Sequence, residues 1–388
     1  MAISRAYFEK IPIHLVTSIP SIETFNNIRK KKYRNVKILK RFKNFPLPKT
    51  KIVNLNINKI KDKFISTKTV DLVSQFLKRG EQVLFFINRR GYAPYLICKK
   101  CGYKHVCSNC SMYLTFHKLK KKAICHHCSY ERDLKTECKD KNLCEFIMYG
   151  PGVEKIFEEV KKVFPNNNVC IFSSDYMKKK NEAKTILERI NNNDFDIIVG
   201  TQMISKGFNF PKLNCIVVID ADFSGRGYDL RTTEKNIQLY HQLSGRAGRF
   251  SSDSLIVYQT LSPEDLTLNE LIKDKSDELL TNELIIRKQN ILPPFIRLIS
   301  IIISSEQHDM SLIGANEIKR KLSQIKNIEI LGPVDSPLLK IKKNFRTRLL
   351  IKFNNQVLMQ KKIANILNNL KISSKIKLTV DVDPVNFA

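Results

Sequence analysis

Cysteine supplies the first chemistry. Of the ten cysteines in 388 residues, six fall in three close pairs: Cys98 with Cys101, Cys107 with Cys110, and Cys125 with Cys128. Each pair is a C-x2-C knuckle, whose two thiolates can grip one Zn²⁺ with Zn–S of about 2.3 Å. Two knuckles complete a tetrahedral, all-thiolate site with no open position, which is a structural centre and not a catalytic one. His105, His126 and His127 lie close by and read as neighbours of the metal rather than its ligands. A fourth knuckle is incomplete. Three positions after Cys138 stands Lys141, and the next cysteine is Cys144. One complete zinc site is therefore expected, with cysteines left over for a second.

Two further strings could hold phosphate. Gly200-Thr-Gln-Met-Ile-Ser-Lys-Gly-Phe-Asn-Phe-Pro211 begins where an apolar strand should end, the edge at which α/β sheets bind ligands. Further on, Gln242-Leu-Ser-Gly-Arg-Ala-Gly-Arg249 closes a helical stretch. Glycines there permit a close backbone approach, and the two arginines present rigid guanidinium forks that match phosphate geometry.

These residues need a scaffold, and the chain has the material for one. Hydrophobic residues make up 43% of it, enough for ordinary cores. From Ser66 onward, apolar strands alternate with amphipathic helices. Helical stretches are read at Val70–Lys78, Val153–Phe164, Lys179–Asn191 and Thr232–Ser244. Strands are read at Gln82–Asn88, Val169–Ser173, Asp196–Gly200, Cys215–Asp220 and Ser254–Gln259. That alternation predicts an α/β unit with a parallel sheet covered on both faces. The cysteines interrupt it as an insert at about 93–148. The tail reads as strand (Leu298–Ser304), helix (Met310–Ile325), two strands (Ile328–Leu331 and Arg348–Phe353), helix (Gln356–Leu370) and strand (Ile376–Val382). This is a split β-α-β arrangement, as in a small ferredoxin-like α+β domain. Residues 1–65 carry little periodicity. Arg29–Lys43 holds nine Lys or Arg in fifteen residues and reads as a basic connector. The expected division is 1–65, a remnant of a preceding unit plus connector; 66–270, the α/β unit with its insert; and 271–388, the α+β domain.

The formal charge of +30 points to a polyanionic partner, most simply nucleic acid. No apolar run is long enough to span a bilayer, so no membrane partner is expected. The first residues lack the apolar core of a signal peptide. Paired cysteines in such a chain suit metal better than disulfides. A cytoplasmic location is the expectation.

The two phosphate-type strings, in this order, resemble motifs V and VI of superfamily 2 helicases. The wider set resembles the primosomal protein N′ family, replication-restart DNA helicases. It includes Phe86-Ile-Asn-Arg-Arg-Gly-Tyr-Ala-Pro94 before the cysteines and Gly150-Pro-Gly-Val-Glu154 after them. Asp220-Ala-Asp222, Asp229-Leu-Arg231 and Glu234 follow. In the tail the family pattern is met by Pro293-Pro294-Phe295, Leu331-Gly-Pro333, Arg346 and Asp381-Val-Asp-Pro384. Leu15-Val-Thr-Ser-Ile-Pro-Ser-Ile-Glu23 resembles motif III. The resemblance implies a RecA-like second helicase lobe with a zinc-binding insert and a C-terminal α+β domain. It implies an ATP-dependent 3′-to-5′ motor on single-stranded or forked DNA, working with primosome proteins. Arg246 and Arg249 would be arginine fingers, which stabilise charge on the transferring γ-phosphoryl group, and Gln242 would sense nucleotide. Gly200, Thr201, Gln202, Lys206 and Gly207 would couple the DNA backbone to the nucleotide cleft. The family nests its knuckles. Cys107, Cys110, Cys125 and Cys128 would then form the intact zinc site, and Cys98, Cys101, Cys138 and Cys144 the incomplete one.

The sequence also departs from the family. It contains no G-x-x-x-x-G-K-[ST] string and no D-E-x-[HD] box, and the dipeptide Gly-Lys does not occur. Without a phosphate-cradling loop and an acid to hold Mg²⁺, the γ-phosphate has no seat. ATP and Mg²⁺ are therefore expected to bind only if a first lobe is supplied. Ile216-Val-Val-Ile-Asp220 follows motif V and so reads as a second-lobe strand rather than a Mg²⁺-binding one. Ile19 stands where the family has Thr, and Asn209 where it has Asp. The alternative expectation is a non-enzymatic, zinc-containing module that binds DNA or a partner, or a decaying remnant of the motor.

Overall fold

The computed structural model of the protein describes residues 2–38, 45–58, 64–87, 95–98, 114–117, 122–124, 130–133, 146–149, 152–173, 180–205, 208–219, 221, 231–248, 251, 253–273, 275–354 and 357–385. The chain opens with helices α1 (Ala2–Glu9) and α2 (Ile22–Arg29), strand β1 (Lys49–Asn54), helix α3 (Thr67–Leu77) and strand β2 (Gln82–Phe86). Among the described residues, the cysteine-rich stretch contributes five short strands: β3 (Tyr95–Cys98), β4 (Thr115–His117), β5 (Lys122–Ile124), β6 (Glu131–Asp133) and β7 (Phe146–Tyr149). Then follow α4 (Val153–Val163), β8 (Val169–Phe172), α5 (Lys180–Asn191), β9 (Ile197–Gly200), β10 (Leu213–Val218), α6 (Thr232–Ser244) and β11 (Leu255–Thr260).

Six of these strands form one sheet in the order β1-β11-β10-β2-β9-β8, with every pairing parallel. The central strands β2, β9 and β10 are buried at every position. Their continuous apolar runs are the mark of a parallel sheet covered on both faces. Two apolar cores lie on opposite faces of the sheet. One packs Leu84, Ile198 and Ile216 with Leu239, Tyr240 and Leu243 of α6. The other packs Val83, Phe85 and Val217 with Val73 and Phe76 of α3 and Ile156 and Val160 of α4. Alternate strand residues thus feed alternate layers. Ser66 caps α3 by accepting from the Thr69 backbone N–H at 3.2 Å. The buried Gln259 of β11 fixes that corner. It accepts from Ser66 N (2.9 Å) and Thr69 Oγ1 (2.7 Å) and donates to the Phe64 carbonyl (2.7 Å).

The connector reading of residues 1–65 needs correction at one place. Lys49–Asn54 pairs in register with Leu255–Thr260 and is an edge strand of the sheet. Its first residues alternate exposed and half-buried, and Val53 joins the core. An edge strand needs only one buried face, so lysine at every second position is compatible with it. Earlier in the chain, Ile19 and Ile22 pack against Ile237 of α6 and against a later helix.

That later helix is α8 (Ser276–Gln289), reached through α7 (Leu266–Ile272). A second body follows: β12 (Arg297–Ser305), α9 (His308–Leu322), β13 (Ile328–Ile341), β14 (Asn344–Phe353), α10 (Val357–Asn368) and β15 (Lys377–Val382). Its sheet order is β13-β14-β12-β15, and all pairings are antiparallel. Ile299, Ile301, Ile303, Leu349 and Ile351 face Ala315, Ile318 and Leu322 of α9 and Ile363 of α10. This is the split β-α-β body expected from the tail. One expectation was too short. The strand read as Ile328–Leu331 runs on to Ile341, with register shifts between Leu331 and Val334 and between Asp335 and Lys340.

Candidate functional site

In the parallel sheet, β2 lies between β9 and β10, so successive crossovers diverge on either side of it. The crevice at the carboxyl ends of such strands is where open α/β sheets take ligands. Gly200 is the last residue of β9, and a Cβ there would lie 3.3 Å from both Leu84 Cδ1 and the Phe172 carbonyl. Thr201 is buried, and the short 3-10 turn Gln202–Ser205 follows with Gln202 exposed. The chain then returns through Phe208 and Phe210, which pack edge-on against Phe172 with centroids 5.3 and 6.1 Å away.

The second string meets this stretch from the end of α6. Arg246, half-buried, donates from Nη1 to the Phe208 carbonyl at 2.6 Å. Gly248 donates from its backbone N–H to the Leu213 carbonyl at 3.2 Å. Gly248 has φ +64°, and a Cβ built on it would lie 2.1 Å from Ser254 Oγ. The position demands glycine for both conformation and space. Gln242 is exposed on the last turn of α6. Two strings separated in sequence are therefore joined through one arginine. Lys206, Gly207 and Arg249 lie outside the described residues, as do Asp220, Asp222 and Asp229.

The opposite end of α6 holds a buried charge network that the sequence reading did not assemble. Arg231, the N-cap of α6, makes a two-pronged ion pair with Glu23 of α2 at 2.6 and 3.0 Å. Glu234 of α6 sits 3.4 Å from both Arg231 and Arg287. Arg287 of α8 is fully buried, with its Nε on Glu283 at 2.8 Å and its Nη1 on the Pro293 carbonyl at 3.4 Å. Burial tends to raise the Glu23 pKa, but the hydrogen bonds and charge of Arg231 outweigh it and leave the carboxyl below its ordinary range. Burial, helped by the charge of Glu23, raises the Glu234 carboxyl despite both arginines. Glu23, Arg231 and Glu234 all stand in strings that carried the resemblance, whereas Arg287 was missed. Its only sequence signal is the i,i+4 pair Glu283 and Arg287, a spacing normally read as a solvated helix face.

Cysteine divides into two populations. Cys170 and Cys215 are buried, and burial pushes the Cys170 thiol up to about 12. Such thiols are inert packing residues. Among the knuckle cysteines, only the backbone of Cys98 is described, at the end of β3. Cys101, Cys107, Cys110, Cys125, Cys128, Cys138 and Cys144 lie outside the described residues. Around them, β3 pairs antiparallel with β7, with Cys98 opposite Phe146. A meander β4-β5-β6 ends β5 at Ile124, next to Cys125 in sequence. Six thiols in three knuckles are a soft donor set, and soft donors suit zinc. Among the described residues, no helix is long and apolar enough to cross a membrane.

The chain is similar to several known proteins and family models. A family model described as Helicase conserved C-terminal domain matches residues 132–251. Another, PriA DNA helicase Cys-rich region (CRR) domain, matches 107–132, and a third, Primosomal protein N C-terminal domain, matches 288–385. Replication restart protein PriA of Rickettsia conorii is 37% identical over 388 residues, covering 100% of this chain and 60% of the relative. The protein of the same name from Haemophilus influenzae is 29% identical, covering 99% of this chain and 53% of the relative. The chain thus spans little more than half the length of the curated relatives it matches. Among solved structures, RecG bound to a three-way DNA junction aligns at 14% identity and a TM-score of 0.30, over 64% of this chain and 22% of that one.

Proposed function

With the chain assigned by these matches to the C-terminal part of the PriA family, we propose that it supplies the second motor lobe, the zinc-binding region and the C-terminal domain of a replication-restart DNA helicase. The observation that carries this reading is the bond from Arg246 to the Phe208 carbonyl. It ties the string after β9 to the string after α6, as a motor needs if strand contacts are to respond to nucleotide. Arg246 and Arg249 act as arginine fingers toward a γ-phosphate. Gln242 reads the nucleotide, and Gly200, Thr201, Gln202, Lys206 and Gly207 relay between nucleotide and DNA. ATP and Mg²⁺ would bind only with a first lobe supplied, because no phosphate loop occurs within these 388 residues. The partners are single-stranded or forked DNA and other primosome proteins.

Zinc in this reading is structural. Cys107, Cys110, Cys125 and Cys128 hold one ion. Cys98, Cys101, Cys138 and Cys144 hold a second, with Cys144 as the eighth donor. In sequence Cys144 is two residues ahead of Phe146, the register partner of Cys98. One observation favours a second reading, a non-enzymatic DNA-binding module: the missing Gly-Lys dipeptide.

A binding titration tests the DNA claim common to both readings. Phosphate contacts carry no sequence information, so binding is expected to be indifferent to sequence. It should weaken steeply with salt, because each neutralised phosphate releases condensed counterion. A flat salt response, or no binding at low salt, would overturn the reading.

A further inference from the structure

The two-residue turn joining β13 to β14 in the C-terminal body has an unusual composition. Lys342 and Lys343 occupy it with φ +46° and +72°, and Ile341 pairs directly with Asn344. Two central residues at positive φ define the hairpin turn that favours Asn-Gly, because a Cβ is disfavoured there. Lysine at both places is a local conflict that the surrounding structure must hold. Both side chains are exposed, and neither makes an ion pair among the described residues.

The turn is anchored from below. Lys340 stacks on the Phe345 ring at 4.7 Å. His308 lies 5.5 Å from the same ring and pairs with Asp335 at 2.7 Å. Asn344 donates to the Lys342 carbonyl at 3.3 Å. Ile341 packs against the cluster of Leu114 and Ala123 in the cysteine-rich stretch, as does Tyr130. The lysine pair is therefore presented by a supported hairpin beside the cysteine-rich region, and not by a loose loop.

We propose that Lys342 and Lys343 form a pin that contacts the phosphodiester backbone of DNA where the C-terminal sheet meets the cysteine-rich region. The placement rests on the reading of the chain as DNA-binding and adds a site to it. Lysine ammoniums are compact point charges with rotatable donors, suited to phosphate without sequence readout. The Phe345 face beneath them is already taken by Lys340 and His308, which leaves charge as the feature the turn presents.

The test replaces the pair by the residues such a turn prefers, K342N/K343G, in the full 388-residue chain. The hairpin should keep its geometry, and its unfolding midpoint should not fall. Binding to a duplex and to a single-stranded oligonucleotide is then titrated over a range of salt. If each lysine meets one phosphate, the slope of log affinity against log salt should shrink by about 1.8 on duplex, or by about 1.4 on single strand. On duplex, with the two proteins converging at about 1 M salt, that is a loss of about thirtyfold near ~0.15 M salt. The larger loss identifies which form the pin contacts. A control pair of exposed lysines on α3 and at its C-cap, K68Q/K78Q, should change the slope far less. If wild type binds with a steep slope and K342N/K343G matches it, the pin is overturned and the DNA-binding reading stands. If wild type does not bind, both fall. Should K342N/K343G lower the midpoint, K343Q alone carries the test, with an expected slope change of about 0.9 on duplex.

Discussion

Replacing Arg287 with methionine should loosen the junction of α2, α6 and α8 far more than an average surface change would. Arg287 is fully buried, and its guanidinium faces Glu234, Glu283 and the Pro293 carbonyl. Methionine fills similar space and leaves Glu234 with Arg231 at 3.4 Å and the Ile22 backbone N–H. Breaking a buried pair by removing one partner typically costs about 3–5 kcal/mol. Protonation limits the share due to Glu234. Holding neutral at pH 7 a glutamate whose ordinary pKa is 4.5 costs about 3.4 kcal/mol, at about 1.36 kcal/mol per unit. The sign follows. A carboxyl whose folded pKa is raised favours folding least at high pH, so the penalty of Arg287→Met should shrink as pH falls toward 4.5. Between pH 7 and about 5.5 it should drop by up to ~2 kcal/mol. Glu23 is the internal contrast. Its lowered pKa contributes stability above about 4.5, which is lost as pH falls further. Hydrogen exchange on peptides of α6 and α8 reads the local opening free energy directly. A penalty under about 1 kcal/mol that is equal at both pH values would refute the reasoning. So would an E234Q/R287M chain no more stable than R287M.

Other expected outcomes concern the glycine turn, the metal and the nucleotide. Gly248→Ala should lower the thermal midpoint, at a cost of about 1–3 kcal/mol for the left-handed backbone. A companion Ser254→Gly should recover only the part due to the Cβ contact at 2.1 Å. Metal analysis should find at least one zinc per chain, and Cys125→Ser should reduce it. Structural zinc contributes on the order of 10 kcal/mol to folding, so chelation should unfold the cysteine-rich region. The 388-residue chain alone should release no phosphate from ATP above background. DNA-stimulated turnover that Arg249→Ala abolishes would contradict this.

The parallel sheet was legible because its central strands are buried on both faces, which writes an unbroken apolar run such as Val83–Phe86 into the sequence. The helix that ends at Ser244 was legible for the complementary reason: Ile237, Tyr240 and Leu243 recur at helical spacing toward the core. β1 was hidden because lysine occupies alternate positions and its partner lies near residue 255. Periodicity reports a buried face, but it does not report a distant pairing. The far half of β13 was hidden by Gly332, Pro333 and Pro337, which read as strand breakers. The structure absorbs them at two register shifts. In the candidate site, glycines and arginines announced themselves because few other roles explain their spacing. Arg287 did not, because burial of a charged helix residue depends on Glu234 and Pro293, partners outside its own helix.

The pairing of β1 with β11 also constrains how the lobe can assemble. The partners are about two hundred residues apart, a loop whose closure costs roughly 4–5 kcal/mol if nothing between them has folded. The favourable order is therefore sheet first and β1 last, once the intervening strands have brought β11 within reach. Until then β11, with Ile256, Val257 and Tyr258 along it, is an open apolar edge that another chain could extend. When β1 docks, Lys49 and Lys51 become the exposed residues of the outermost strand. An aggregation-prone border is thereby exchanged for a charged one, and the basic residues that obscured the strand in the sequence are the ones that keep the finished sheet from growing.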